Sequence, residues 1–598
     1  MIVQRLYELY QRMAEDDEHS KGVPQPGWGT EKVSWALSLT KEGELVSAVP
    51  LISGEGKAAN KYLTMMVPAH SGRSGIAPKP YFLCDTAPYF LGEGGEKGDG
   101  KRVAAKNLHE TILYDCDDDG ARAILRWLAS DSPCEGIAED VISEIAEAKG
   151  NLTFYLSGDG FPIFQRPLVR KAWESYLAEP GHGEVTGQCS VTGEVGPLAR
   201  LFPQISGLPG AQPSGASLIS FNLESFNSYG KTQAYNASIA EDVAFGAGTA
   251  LKYLLTNNKR RIRLGNTFVI FWSEGGSSND DDFLWSMLAG QRKAEDEETS
   301  QLIAEIFNNM RAGRVYTASF TSEAKYFILG VSPNAARISV RFYNESTLGQ
   351  LADRYAMYLQ DVDMVGVKNV SLLALLRQTA VLGKEDNLPF TLVSPSFAAM
   401  LNGTDFPMSL QNTVLSRMRA DHASQNTWDM GQRAAILKAC LVRRRRHAGR
   451  QIMSESELSM SLNRNNTGTG YLLGRLFAVM ERAQQGAVPG ANATIRDRYI
   501  GAASSTPQRV MQPLLRNCQT HLGVLRKDNL GLANMLEREL DEILGSKYAG
   551  EGLPATLDID QQAEFFIGYY QERADLWTSK KKTTESDESF SQTNEKEN

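Results

Sequence analysis

The chain has 598 residues, of which 42% are apolar and 22% charged, and a formal net charge of −9. This is a globular composition, too long for one hydrophobic core, which argues against fibrous and disordered classes. Six scattered cysteines without CxxC spacing and seven histidines without a paired ligand motif argue against a disulfide framework or a zinc module. The expectation is a cytoplasmic protein with reduced thiols and neither metal nor cofactor; no stretch approaches the length of about 18 apolar residues that a membrane span needs.

In chain order, MIVQRLYELYQRMAEDD at the start has the apolar spacing of an amphipathic helix and lacks the layout of a signal peptide. Lys32–Leu51 alternates like a strand on both sides of Lys41-Glu42-Gly43, predicting a hairpin. The loop His70–Gly92 follows, shaped by Gly72, Gly75 and Pro78. Arg73, Ser74 and Lys79 on it offer groups for phosphate, and Tyr81 and Phe82 offer aromatic faces; a plain loop running into a core strand is the alternative.

The Gly-rich stretch Gly92–Lys101 is expected to be a loop. Its Gly95-to-Lys101 spacing imitates a phosphate-binding loop but places Arg102 where Ser or Thr would hold magnesium. The acidic cluster Asp115, Asp117, Asp118 and Asp119 lacks EF-hand spacing and stands before ARAILRWL. A helix cap is the expected role, and a catalytic metal site is the competing one. Asn151–Phe164 reads as a second hairpin turning at Gly158-Asp159-Gly160, and Asn266–Trp272 as a buried strand.

Between Cys189 and Trp272, Ser220, Asn222, Ser225, Asn227, Ser228, Tyr229, Lys231 and Asn236 gather polar groups around turns, and Lys259, Arg260, Arg261 and Arg263 cluster at a helix end. Amides and hydroxyls suit base edges and sugars, and cations suit a phosphate backbone. Helix capping and dipole complementation explain the same residues equally well. Leu329–Tyr343 turns at Pro333-Asn334 and continues with Arg337, Ser339 and Arg341 on one face of a strand, turned either to solvent or to a nucleic-acid backbone.

From Ser346 onward apolar residues recur at three- and four-residue spacing in consecutive segments, which predicts a helical bundle. The expected class is an α+β N-terminal domain followed by an all-α C-terminal helical bundle. Boundaries are expected at 1–345, a helical connecting region 346–432, a basic bundle 433–578 and a disordered tail 579–598. From Cys440 to Asn529 there are fourteen Arg or Lys against five acids. This asymmetry marks either a solvated face or an electrostatic footprint for nucleic acid; Arg443, Arg444, Arg445, Arg446, Arg464, Arg475, Arg496 and Arg498 are the candidates. No HD pair, GxSxG elbow or HExxH motif occurs, so an enzyme is not expected.

Six phrases, GIAPKPYFLCDTAPYFLG, LISFNLESFNSYGKTQAYNAS, YFILGVSPNAARISVRFY, YLLGRLFAVMERAQQGA, IRDRYIGAASSTPQRVM and FFIGYYQER, together resemble the Csd-one family, the large subunit of the subtype I-C CRISPR surveillance complex. The chain departs from that family's pattern at Phe202, Ser238 and Gln571. The resemblance implies a non-catalytic subunit that checks the protospacer-adjacent motif in double-stranded target DNA, helps open the duplex, holds the displaced non-target strand and recruits the helicase-nuclease. It implies as partners a CRISPR RNA, which reads sequence by pairing, and the backbone, RNA-end-binding and small subunits of Cascade. The small subunit would come from an internal start in the same gene, at Met460 or Met453. A metal-dependent nuclease built on the acidic cluster is the alternative.

Overall fold

The computed structural model describes the chain except residues 16–22, 52–61, 70–76, 93–95, 149, 179–184, 207, 291–296, 315–319, 369–370, 385–386, 421–426, 450–457, 546–551 and 595–598. The α+β beginning and helical end are both present. Two compact units form, Met1–Tyr253 with Asn334–Ile338, and Leu254–Pro333 with Ser339–Asn598.

In the first unit, β1 (Trp28–Leu39) is the axis of a five-stranded sheet. It pairs antiparallel with β2 (Leu45–Pro50) and β3 (Leu63–Pro68) and parallel with β5 (Asn151–Leu156), which in turn pairs with β4 (Cys84–Thr86). The expected hairpin is therefore β1–β2, and its turn carries Gly43 at φ 88. The second expected hairpin is reduced to one bridge, Tyr155 with Pro162, while β5 pairs with β1 along its length and with β4 over Asn151–Thr153. Trp28, Leu37, Phe90, Trp127, Phe154, Phe164 and Trp173 make the core.

The Gly-rich loop is shorter than expected, since a helix begins at Glu96 and runs to Leu113. Glu96 and Asp99 in its first turn favour the helix N-terminus. Two short strands, β6 (Thr186–Gln188) and β7 (Val195–Pro197), form a separate ribbon, and β8 (Gln204–Ile205) pairs with β9 (Ala216–Ser217).

In the second unit β10 (Arg261–Leu264), β11 (Thr267–Glu274), β12 (Lys325–Asn334) and β13 (Arg337–Thr347) lie side by side. The apolar run predicted as a buried strand is β11, buried from Thr267 to Trp272. One continuous core runs from Ile262 on β10 to Leu576. The strands after 254 thus belong with the helices, and the break falls at Tyr253 rather than at 345.

Within the bundle, the Thr469–Ala487 helix was expected to have one apolar face, yet every residue from Gly470 to Ala483 is buried. Its glycines allow this. A Cβ at Gly470 or Gly474 would lie 2.0 Å from the Gln561 or Phe565 carbonyl of the Ile559–Asn594 helix, so the two backbones meet without side chains between them. That last helix continues through Asn594, where a disordered tail was expected. The segment after Trp577 holds neither Pro nor Gly, and extending an existing helix costs far less than nucleating one.

Candidate nucleic-acid interface

Of the first candidate loop, Arg73 and Ser74 lie outside the described residues. Lys79 is exposed, with its backbone N–H on the Tyr89 hydroxyl at 3.2 Å. Tyr81 is half-buried, and its N–H reaches Asp85 Oδ2 at 2.7 Å. Phe82 is not available to a base: it is 2% exposed and stacks on Trp173 with centroids 5.1 Å apart. The loop's exit is fixed by His109, whose Nε2 accepts from Leu83 N at 2.9 Å while Nδ1 lies 2.7 Å from the Ala105 carbonyl. Nε2 is therefore the bare nitrogen and Nδ1 carries the proton. Burial pushes this imidazole down to about 4, since a charged ring there would lose its hydration.

The second candidate segment is brought together as a braced, exposed loop. Asn236 is its keystone: Nδ2 donates to Asn227 Oδ1 at 3.3 Å and to the carbonyls of Lys231 at 3.1 Å and Gln233 at 2.9 Å. Its Oδ1 accepts from Ser228 N at 2.9 Å. Lys231 Nζ donates to Ser238 Oγ at 2.9 Å, and Arg200 holds Gln233 at 3.1 Å. Tyr229 is 99% exposed. Ser238 stands at φ 49, a backbone conformation that a proline ring would forbid. Arg337 joins the cluster from the start of β13, stacked 4.9 Å over Phe226 and bonded to Asn222.

The third cluster is mainly structural. Arg260 is ion-paired with Asp281 at 2.8 Å and half-buried. Arg261 donates to the Leu255 carbonyl at the end of the Glu241–Thr256 helix, the dipole-complementing role weighed against nucleic-acid contact. Lys259 and Arg263 are exposed, Arg263 with its Nε on the Gly265 carbonyl at 3.0 Å. Arg341 is exposed beside Val340, with Nε on Ser332 Oγ at 2.6 Å.

The basic bundle requires a correction. Arg443, 1% exposed, is locked inside by Asp361 Oδ2 at 2.8 Å, by the carbonyls of Ala399 and Thr404, and by the Phe406 ring at 4.5 Å. Arg446 shares Asp361 at 2.5 Å, Arg444 pairs with Asp560 at 2.5 Å, and Arg445 pairs with Glu564. Arg475, also 1% exposed, meets Glu572 at 2.8 Å and Glu542 at 2.9 Å. Arg464 meets Glu539, Glu542 and Asp575, and Arg496 is buried. Arg443, Arg475 and Arg496 therefore cannot lie on a binding surface in this fold, and Arg444, Arg445, Arg446 and Arg464 reach solvent only with carboxylates beside them.

Around Glu572 four carboxylates share two guanidiniums, and burial pushes its acid up to about 7 despite Arg475.

Among the described residues of the bundle, Arg498 and Arg538 are exposed without an ion pair, as are Arg509, Arg516 and Lys527 of the Pro507–Asp528 helix. The last three were not among the candidates. Their spacing was the available signal: steps of seven and eleven residues are close to whole helical turns, so they form one stripe, and Asp528 is the helix's only acid.

The acidic cluster serves the fold. Asp118 caps the Asp119–Ala129 helix through the N–H groups of Gly120 and Ala121 and pairs with Arg166 at 2.7 Å. Lys41 and Arg122 neutralise Asp119, whose acid is held down to about 2 first by the hydrogen bond from Lys41; Arg122 also takes Asp117.

Among the described residues no helix is long and apolar enough to cross a membrane. A comparison with curated proteins finds no match. Residues 6–577 match the family described as CRISPR-associated protein (Cas_Csd1), which spans both units, the braced loop and the bundle, and the chain belongs to that family.

Proposed function

We propose that this chain is a non-catalytic, nucleic-acid-handling subunit of a type I-C CRISPR surveillance complex. In the first unit, the Ser220–Ser238 loop, Arg337 and Lys79 meet the target DNA where the duplex bearing the protospacer-adjacent motif opens. In the second unit, Arg498, Arg509, Arg516 and Lys527 hold the backbone of the displaced strand. A CRISPR RNA supplies the sequence reading, and the assembled complex recruits the helicase-nuclease.

The observation that best supports this reading is the contrast in ion pairing. The chain carries 71 acids against 62 Lys and Arg, and the buried Arg443 and Arg475 are both held by carboxylates. A stripe of cations left unpaired in so acidic a protein suits a polyanion from outside it.

The test uses the chain assembled with CRISPR RNA and the remaining subunits. Arg509→Glu, Arg516→Glu and Lys527→Glu together should slow strand opening on target DNA and leave assembly intact, with affinity losing much of its salt dependence. Unchanged opening would remove the stripe from the path of the strand. Motif reading is tested by changing the base pairs that flank the target: discrimination should fall when Arg337 and Asn222 are replaced by Ala.

A separate short product beginning at Met460 or Met453 is part of the same proposal. It would lack Arg444, Arg445 and the Val365 carbonyl, which otherwise hold Asp560, Glu564 and the Tyr570 hydroxyl. Mass spectrometry of the complex made from the native gene should find this product docked on another subunit through that face. Its absence from a fully active complex would end this part of the proposal.

A further inference from the structure

Tyr229 has φ 51 and Gly230 φ 70, and Lys231 N donates to the Ser228 carbonyl at 3.0 Å. A reverse turn with both central residues on the positive side is readily formed by Asn or Gly, whereas a tyrosine there is strained. Asn236 fixes the turn from both sides through Ser228 and Lys231. Strain held this firmly under a ring that is 99% exposed does not serve packing within the chain. It holds an aromatic face ready for something else.

Charge selects the occupant. Arg200, Lys231 and Arg337 surround the loop, against Glu224 within it. Each of these cations has one side-chain hydrogen-bond partner, Arg337 stacking on Phe226 as well, and each keeps further N–H donors for a phosphate. Geometry selects its form: bases inside a duplex present only their edges, so a free-standing ring can stack only on a base that has left the duplex.

We propose that Tyr229 is a stacking post for one unpaired nucleobase, with Lys231 and Arg200 on the adjoining phosphates. This rests on the reading of the chain as a nucleic-acid handler and names what its braced loop takes, a single-stranded junction rather than an intact duplex.

The test titrates the full chain into a DNA hairpin whose unpaired arm carries one 2-aminopurine, following both affinity and quenching of that base. Tyr229→Asn removes the ring while accepting the turn's φ, so the loop stays folded. It should weaken binding about 10-fold to 100-fold, as loss of one stacked base does, abolish the quenching and leave the salt slope unchanged. Tyr229→Phe and Tyr229→Trp should retain both signals, and binding to a blunt duplex should not respond to any of the three.

The stacking proposal is overturned if Tyr229→Asn binds and quenches like the parent. It is also overturned if that variant loses a protein subunit of the complex while binding naked hairpin normally, which would make Tyr229 a protein contact. If Lys231→Ala still weakens hairpin binding in either case, the nucleic-acid reading stands without the stack. A parent chain with no salt-dependent affinity for hairpin or duplex would defeat both.

Discussion

Two arginine-bearing helices of the second unit differ in density and in fate. Thr427–His447 carries four consecutive arginines in its last turns, and Pro507–Asp528 carries Arg509, Arg516 and Lys527 seven and eleven residues apart. The dense run is drawn inward to Asp361, Asp560 and Glu564, while Arg509 and Arg516 face solvent. Charge density along a chain thus does not report exposure. A run of four adjacent residues covers a full helical turn, so in a packed helix some of them must point at neighbours and need carboxylates there. Residues spaced near whole turns share one face and can all stay in water.

The sharpest break of this comparison comes from Arg443. Arg443→Ala leaves Asp361, itself 1% exposed, as a buried charge with Arg446 as its remaining ion pair. A loss of about 3–5 kcal/mol is expected from an uncompensated buried pair, read as a lower thermal or denaturant midpoint for the second unit. A variant as stable as the parent but weakened on DNA would return Arg443 to the surface and reverse the contrast.

Next in size is a pH effect at Glu572. Its oxygen Oε2 takes Arg475, and Oε1 is buried without a hydrogen-bond partner. With the folded acid raised to about 7 from its ordinary 4.5, the native state holds this proton more tightly than the unfolded chain does. Stability is therefore greatest at low pH on this account, declines as pH rises from about 4.5 to 7, and is flat above. Glu572→Gln should remove that decline, a gain of about 2–3 kcal/mol at pH 8, checked by denaturant titration at pH 5 and pH 8. A variant weakened equally at both values would make the carboxylate a net asset.

These two cases explain how much was legible in the sequence. Elements with local signals were read correctly: the β1–β2 hairpin from its alternation, β11 from its apolar run, and the Asp118 cap from its place before ARAILRWL. The acids of the arginine run were invisible because they lie 82 to 119 positions away, outside any window in which charge is counted. The unit boundary was missed for a related reason. Periodicity marks where helices begin, but it does not say that Phe271 and Tyr326 on strands share a core with Leu476 and Phe565 on helices. Tyr229 stood among the candidates for its residue type alone; its positive φ and full exposure come from the Asn236 hydrogen bonds, which only the fold supplies.

A third experiment sharpens the other half of the contrast. Replacing Arg509, Arg516 and Lys527 together by Ala should change stability by under about 0.5 kcal/mol, as expected of surface positions. It should reduce the salt slope of single-strand binding by about two, at roughly 0.7 per phosphate contact. A drop in the unfolding midpoint without a change in slope would show that these cations serve the bundle as Arg443 does.

The finest distinction lies between exposure and freedom. Arg526 sits on the same helix as Arg516 and is about half exposed, but its guanidinium is 2.5 Å from Glu537. To reach a phosphate it must first give up that carboxylate. Removing the pair together, Arg526→Ala with Glu537→Ala, leaves the net charge unchanged and deletes an exposed ion pair, so stability should move by less than about 1 kcal/mol. The salt slope should stay where it was, whereas Arg516→Ala alone lowers it by about 0.7. If the paired deletion lowers the slope as much as Arg516→Ala does, exposure alone qualifies a cation for the strand. If it does not, the backbone is gripped by the cations that the protein's own acids have left unclaimed.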